Sequence, residues 1–327
     1  MSARRLVSLV LAAASCAACS PIQSALDPQS PQAESLHELF WLFVVVCSVV
    51  WLAVMASLTL ALLRNRSTAS EATAAGSRTP ALAVGAAVVA TVLIVAGLTI
   101  ASFLATRSLA TDGGGLVIKL RGYQWWWEAT YPAEGVVTAN EIHLPVGRPV
   151  RMELSAADVI HSFWVPQLQG KLDLIPGRDN AVTITVTKEG VYRGQCAEFC
   201  GLQHAHMGLI VVAEPPAAFD AWARAQAAVA AAPTEPEAQA GAALFQAKAC
   251  SSCHAIRGTA ASAKVGPDLT HVASRRSIAA DVLPATRGAF AAWIVDPQTI
   301  KPGANMPAIA LEPAELRALS AYMTALK

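Results

Sequence analysis

Cys196, Cys200, His204 and Met207 share one short segment, Gln-Cys-Ala-Glu-Phe-Cys-Gly-Leu-Gln-His-Ala-His-Met, at spacings of 4, 4 and 3. His161 lies 35 residues upstream and opens His-Ser-Phe-Trp-Val-Pro. Two thiols, two imidazoles and a thioether make a soft donor set suited to copper. Zinc fits poorly, because a thioether ligand would be odd and the spacing is not that of a finger. One thiolate, two imidazoles and a weak axial thioether describe a mononuclear blue-copper site. The second cysteine changes that picture, since two sulfurs in one loop can bridge two coppers that share one electron. The competing use of Cys196 and Cys200 is an ordinary exterior disulfide. His206 is expected to be exposed rather than ligating, and His143 and His37 to be surface or packing residues.

A second cluster, Cys250-Ser-Ser-Cys-His254, has the Cys-x-x-Cys-His form in which two thiols add to the vinyl groups of a haem and the histidine sits under the iron. Asn305-Met306-Pro307 follows, which makes Met306 the candidate sixth ligand and His271 its rival. Met/His ligation suits electron transfer rather than oxygen binding. Cys-x-x-Cys also serves thiol–disulfide exchange, so the motif alone leaves that reading open.

The elements that must carry these residues differ in texture along the 327 residues. Short apolar or alternating runs at 116–120, 136–144, 150–154, 181–186 and 209–212, punctuated by Gly and Pro, predict an all-β sandwich or barrel over residues 112–215. A helix and an Ala/Pro linker follow over 216–238. Residues 239–327 read as a small helical domain, with helices at 238–248 and 313–326. Its core is marginal unaided, and a large buried prosthetic group would supply the missing apolar mass.

Upstream, residues 36–107 predict a transmembrane hairpin with charge-free spans at about 39–63 and 80–105. Arg64, Arg66 and Arg78 against Glu71 make the connecting loop cytoplasmic, which puts the chain beyond Arg107 outside. Residues 1–19 read as an export signal, with Cys19 a candidate for acylation. Charged residues are 14% of the chain, against about 25% in a soluble domain. The net charge of +1 gives no basic excess for nucleic acid. Residues 112–215 carry 11 acidic and 8 basic side chains, residues 241–327 carry 5 and 9, so complementary faces could steer one domain onto the other.

The motifs Gly-Tyr-Gln-Trp-Trp-Trp at 122–127, Asp-Val-Ile-His-Ser-Phe-Trp-Val-Pro at 158–166 and Lys-Leu-Asp-Leu-Ile-Pro-Gly-Arg at 171–178, with the 196–207 loop, resemble the copper-bearing subunit II of haem–copper cytochrome c oxidases. That resemblance implies a cupredoxin-like β-barrel over two transmembrane helices, holding the binuclear CuA centre. Its ligands would be His161, Cys196, the backbone carbonyl of Glu198, Cys200, His204 and Met207. The resemblance also makes the Glu198 carboxylate a candidate Mg2+ ligand at the joint with the catalytic subunit I, and Trp125 the point where electrons arrive. Trp126 and Trp127 read as core or interface anchors, and Tyr123 stands where the family often has His.

Residues 241–327 resemble class I cytochrome c, with Gly241, Phe245 and Tyr322 in its helix-packing roles. Together the likenesses imply a caa3-type subunit II with a fused cytochrome c. Its partners would be the catalytic and other membrane subunits of a bacterial inner-membrane oxidase, and a soluble cytochrome c or upstream reductase as donor. Tethering would hold the two redox domains at an effective concentration on the order of mM. Oxygen reduction, coupled to proton translocation, would fall to the partner, because too few histidines remain here for further haems and another copper. Rival readings are a copper-handling or assembly protein and the CuA module of a nitrogen-oxide reductase.

Overall fold

The computed structural model describes residues 23–63, 78–108 and 115–327. The export signal with Cys19, and the loop residues Arg64, Arg66 and Glu71, lie outside the described residues. Two compact units result, Glu34–Ala110 and the remainder.

The first unit is built on two long helices, α1 (Pro31–Leu63) and α2 (Arg78–Ser108). Their apolar side chains are exposed around most of the circumference: Trp51, Leu60 and Leu63 on α1, Val84, Leu93 and Phe103 on α2. A helix apolar on all sides needs an apolar surround, and these are long enough to cross a membrane. Backbone hydrogen bonds are satisfied within each helix, as a hydrocarbon environment demands.

Ten strands open the second unit: β1 (Leu116–Tyr123), β2 (Trp126–Tyr131), β3 (Val136–Ala139), β4 (Glu141–Pro145), β5 (Val150–Ala156), β6 (His161–Trp164), β7 (Leu172–Leu174), β8 (Asn180–Ile184), β9 (Gly190–Cys196) and β10 (Gly208–Glu214). They form two five-stranded sheets, in the orders β3-β2-β1-β5-β8 and β4-β10-β9-β6-β7. The β1–β5 and β4–β10 pairs are parallel, the others antiparallel. Strict alternation in β1, β2 and β5 sends Ile118, Leu120, Trp127, Met152 and Leu154 into one core shared with Phe163, Leu209 and Val211 of the other sheet.

The apolar run at 136–144 is two strands rather than one, because Asn140 (φ 61°) turns the chain from the first sheet to the second. Asn tolerates the left-handed region. Its amide donates to Trp127 O at 2.9 Å, and its side-chain oxygen accepts from Trp127 N at 2.8 Å. Helix α3 (Pro216–Ala227) then lays Phe219 and Trp222 against Tyr131.

The helical part comprises α4 (Pro236–Ala247), a short β11–β12 ribbon (Ser277–Ile278 with Leu283–Pro284), α5 (Arg287–Val295), α6 (Pro297–Ile300) and α7 (Pro313–Ala325). Helix α7 starts with Pro at its first position behind a capping box between Glu312 and Glu315. Phe245 of α4 meets Tyr322 of α7 edge to face, ring centroids 5.9 Å apart. Helices α5 and α6 occupy a stretch whose Gly and Pro content gives no clear helical period in the sequence.

Candidate metal and haem centres

Strand β9 ends at Cys196 and β10 starts just after Met207, so the loop between them is a hairpin connection closed at its base by Cys196 N donating to Met207 O (2.9 Å). On the neighbouring strand, Phe163 pairs with Cys196, which sets His161 beside the loop despite 35 residues of separation. The close approach explains Gly122: a Cβ there would fall 2.8 Å from His161 Cδ2.

All the sulfur and nitrogen donors converge. Cys196 Sγ is 3.7 Å from Cys200 Sγ, 4.0 Å from His161 Nδ1 and 3.2 Å from the Glu198 carbonyl oxygen. Cys200 Sγ is 3.7 Å from His204 Nδ1 and 3.8 Å from Met207 Sδ. Each sulfur thus has its own imidazole, and the weaker oxygen and thioether donors sit at opposite cysteines. Both cysteines are buried and free, so the disulfide reading does not describe this structure. Donors this far apart fit ions between them, since metal–N and metal–S bonds are about 2.0–2.3 Å long.

Protonation prepares the site. The hydrogen bond from Cys200 holds the Cys196 thiol well below its usual range, aided against burial by His161, and the Cys200 thiol is pushed up in turn by Cys196. His161 Nε2 meets Asp158 Oδ1 at 2.8 Å, which leaves Nδ1 facing the sulfurs. Asp158 also accepts from Val159 N and, through Oδ2, from Gln124 N, both at 2.7 Å. Sequence reasoning missed Asp158, although its place three residues before a candidate ligand was a usable signal. Glu198 is half exposed, and its carboxylate pairs with Lys171 at 3.2 Å.

Trp125 is buried against the same loop, its indole N–H donating to Cys200 O at 2.9 Å. Trp127 is a core residue in T-shaped contact with His161, and Trp126 stacks on Tyr123. His206 is exposed and bonds Gln203, away from the sulfurs. His143 is neither on the surface nor merely packed. Its ring stacks on Trp222 and bonds Glu214 (2.8 Å) and Glu141 (3.2 Å). Burial pulls this imidazole down, but the two carboxylates outweigh it and the net shift is upward. His37 belongs to α1, where it accepts from Trp41.

In the helical part, Cys250 opens a turn in which both Cys253 N and His254 N donate to its carbonyl. Both thiols are free and half-buried. His254 Nδ1 lies 2.8 Å from Pro267 O, so Nε2 is left for an axial ligand, and burial lowers its pKa, favouring the neutral ring that binds metal. Cys250, Leu269, Trp293, Ile294 and Leu311 pack on the core yet stay only partly covered, the surround a large apolar prosthetic group would complete. Met306 is half-buried in an irregular segment held by Gln298, whose amide donates to Met306 O (2.8 Å) and Ala304 O (2.7 Å). The rival, His271, has both ring nitrogens engaged by backbone carbonyls, Lys327 O at 2.8 Å and Ala228 O at 3.0 Å.

The two centres are joined by direct contacts. Lys301, 3% exposed, donates to Trp125 O at 2.7 Å and Ala279 O at 3.1 Å. Burial pulls its pKa down to about 7, with partial compensation from Cys200. Arg193 of the β part meets Asp281 of the helical part at 2.7 Å, opposite in sign to the net charges of the two parts. Glu141 of the β part accepts from Arg276 N at 2.8 Å and attracts Arg275, in the sense of those charges.

A soft-donor pocket in a β sandwich, a covalent-haem motif in a helical domain, and two apolar helices define the class: a membrane-anchored electron-transfer protein with two metal centres. The family described as cytochrome C oxidase subunit II, periplasmic domain, matches residues 133–214, and the cytochrome c family matches residues 238–327. Cytochrome c oxidase subunit 2 of Alkalihalophilus pseudofirmus is 34% identical over 314 residues, covering 93% of this chain and 91% of that one. The Bacillus subtilis subunit 2 is 34% identical over 223 residues, covering 65% and 62%. The solved periplasmic domain of cytochrome oxidase subunit II of Bradyrhizobium japonicum is 32% identical, covers 36% of this chain and 95% of that one, and superposes with a TM-score of 0.34. The chain belongs to the cytochrome c oxidase subunit II family, in a form with a C-terminal cytochrome c domain. Membership implies copper and haem c, assembly with an oxidase catalytic subunit, and a membrane protein with an extracellular domain.

Proposed function

We propose that this subunit is the electron inlet of a bacterial inner-membrane haem–copper oxidase: it receives electrons on its cytochrome domain and hands them through its copper domain to the catalytic subunit, where O2 is reduced to water and protons are translocated. The observation that carries the reading is the convergence of His161, Cys196, Cys200, His204 and Met207, with the Glu198 carbonyl, in one buried pocket. When bound, a copper pair and haem c supply one-electron redox couples.

The chain's residues do the rest. Cys196 and Cys200 offer two sulfurs 3.7 Å apart with an imidazole at each, the arrangement that suits two bridged ions better than one. Met207 and the Glu198 carbonyl would be the weaker donors, one at each cysteine. Asp158 fixes the His161 tautomer, and the β core keeps water from the thiolates. Cys250 and Cys253 would hold a haem covalently, and His254 and Met306 would be its ligands from the protein. Met306 is favoured over His271 because both nitrogens of that ring are already spent. Trp125, bonded to the Cys200 carbonyl on one side and to Lys301 through its own carbonyl, is the point of transfer between the domains. The Glu198 carboxylate, half exposed beside the pocket, offers an oxygen to Mg2+ at the catalytic subunit.

An exchangeable, delivery-type copper protein is disfavoured by a ligand set this complete and by a haem domain docked on it. Elemental and haem analysis of the full chain tests the reading, with two coppers per covalent haem expected. The copper EPR signal should show seven hyperfine lines, from one electron shared by two nuclei. One copper per chain, or haem removed by acid–acetone, would refute it.

A further inference from the structure

Two segments of the helical part grip the copper domain. The first, residues 279–281, is a run of three non-glycine residues in left-handed conformation: Ala279 (φ 57°), Ala280 (φ 62°) and Asp281 (φ 65°). Such backbone persists only where its surroundings over-determine it. Here they do: Ala280 O accepts from Gly208 N at 3.0 Å, directly after Met207, and Asp281 Oδ2 accepts from Arg193 Nε at 2.7 Å. The second segment, residues 301–305, leads into Met306. Pro302 O accepts from Gln203 Nε2 at 2.7 Å, and Asn305 Nδ2 donates to Gln124 O at 3.3 Å. A Cβ at Gly303 would fall 3.1 Å from Leu202 Cδ1 and 3.7 Å from the Trp125 ring, so this backbone lies on the indole edge.

One side chain connects all three pieces. The Lys301 ammonium, almost fully buried, donates at once to Ala279 O in the first segment and to Trp125 O in the copper domain, while its own backbone belongs to the second. A buried lysine is costly unless its donors are used. Both acceptors here are carbonyls: Ala279 O holds the ammonium within the helical part, and Trp125 O meets it only when the domains are docked.

We propose that Lys301 is a positioning residue that locks the cytochrome domain onto the copper domain in one closed register, with Trp125 enclosed between them. Docking is then a fixed property of the fold rather than a tethered encounter. A further consequence rests on Trp125 being the point of transfer: the cytochrome domain covers it, and a soluble protein donor must deliver to that domain and not to the copper domain directly.

The test is Lys301→Met in the full-length chain within its assembled oxidase, with Asp281→Asn as a second variant that keeps a residue tolerant of left-handed backbone. Hydrogen–deuterium exchange should rise at least tenfold at Gly208, whose amide donates to Ala280 O across the joint, for Lys301→Met, and by less for Asp281→Asn. Amides in α4 and α7 should keep their protection, which separates undocking from general loss of the domain. Copper EPR and haem absorption should not change, and the rate of copper reduction after photoreduction of the haem should fall about tenfold. Unchanged exchange at Gly208 overturns the proposal. Faster exchange with an unchanged transfer rate supports the lock and overturns the role of Trp125 instead. Should Lys301→Met fail to accumulate, the same exchange readout on Asp281→Asn decides.

Discussion

Adding one methyl group at Gly241 should destabilise the cytochrome domain sharply, although the substitution improves helix propensity. A Cβ at that position falls 2.0 Å from the Ala318 carbonyl oxygen, 2.6 Å from its carbon and 2.8 Å from Tyr322 Cβ, whereas ordinary contact starts at 3.4 Å. Helices α4 and α7 would have to part by about 1.4 Å, because the obstacle is backbone and cannot rotate away. Overpacking of this kind costs about 1–3 kcal/mol, and a backbone collision belongs at the upper end. Replacing Gly by Ala in a helix returns roughly 1 kcal/mol. The balance is a loss of roughly 2 kcal/mol. For a domain this small about 1 kcal/mol moves Tm by some 4–8 °C, so a fall on the order of 10 °C is expected. Thermal unfolding followed at the haem absorption reports this domain alone. Gly288→Ala is the matched control, since a Cβ there meets nothing within 4 Å, and its Tm should hold or rise. A Gly241→Ala Tm within about 2 °C of the parent would refute the close-contact argument.

The other expectations concern the two centres and the joint. Cys196→Ser should abolish the shared-electron copper signature while haem absorption and protein yield persist; a retained seven-line spectrum would remove the bridging claim. Asp158→Asn takes away the carboxylate that orients His161 and caps Gln124 N, and copper affinity measured by chelator competition should fall roughly 10–100-fold. No change in affinity would make Asp158 a surface group of no consequence. For His143, burial lowers the imidazole and the Glu141 and Glu214 carboxylates more than restore it, so its folded pKa is raised. That stabilisation is whole below the unfolded value of about 6.5 and fades as pH climbs through the folded one, at no more than about 1.4 kcal/mol per pH unit for one proton. Tm should therefore decline above pH 6.5, and His143→Asn should flatten the decline; parallel curves for parent and variant would exclude the linkage.

What the sequence disclosed depended on how locally the chemistry is written. The donors from Cys196 to Met207 occupy a single hairpin loop, so their types and spacing announce a soft-metal pocket before any folding is known. His161 was harder to place, since only the β6–β9 pairing brings it in. Its neighbour sequence carried the family likeness, but no periodicity predicts that register. Cys250, Cys253 and His254 are likewise contiguous. By contrast, Asp158 carries no signal beyond standing three residues before His161, and His143 reads as an isolated histidine. Of their partners, Gln124 and Glu214 are remote in sequence, while Glu141 stands two residues before His143 on the same strand. The switch of sheets at Asn140 hides inside a single alternating run because its cause is one backbone angle and a bond to Trp127.

The joint between the domains shows the same limit from the other side. Counting charges gives an acidic β domain and a basic helical one, which suggests attraction of opposite faces. The structure places at the contact one ion pair of the reverse sense, Arg193 with Asp281, a Glu141 carboxylate that accepts from Arg276 N, and a lysine whose partners are neutral carbonyls. Net charge acts at a distance and is screened within about 10 Å at moderate salt, so it can steer an encounter but cannot select a register. Register comes from short, directional bonds, and their acceptors here are mostly backbone carbonyls that composition does not count. Raising salt should therefore leave exchange protection at Gly208 nearly intact, whereas removing the Lys301 ammonium should not. A dock that loosens with salt as much as with Lys301→Met would be one held by bulk charge after all.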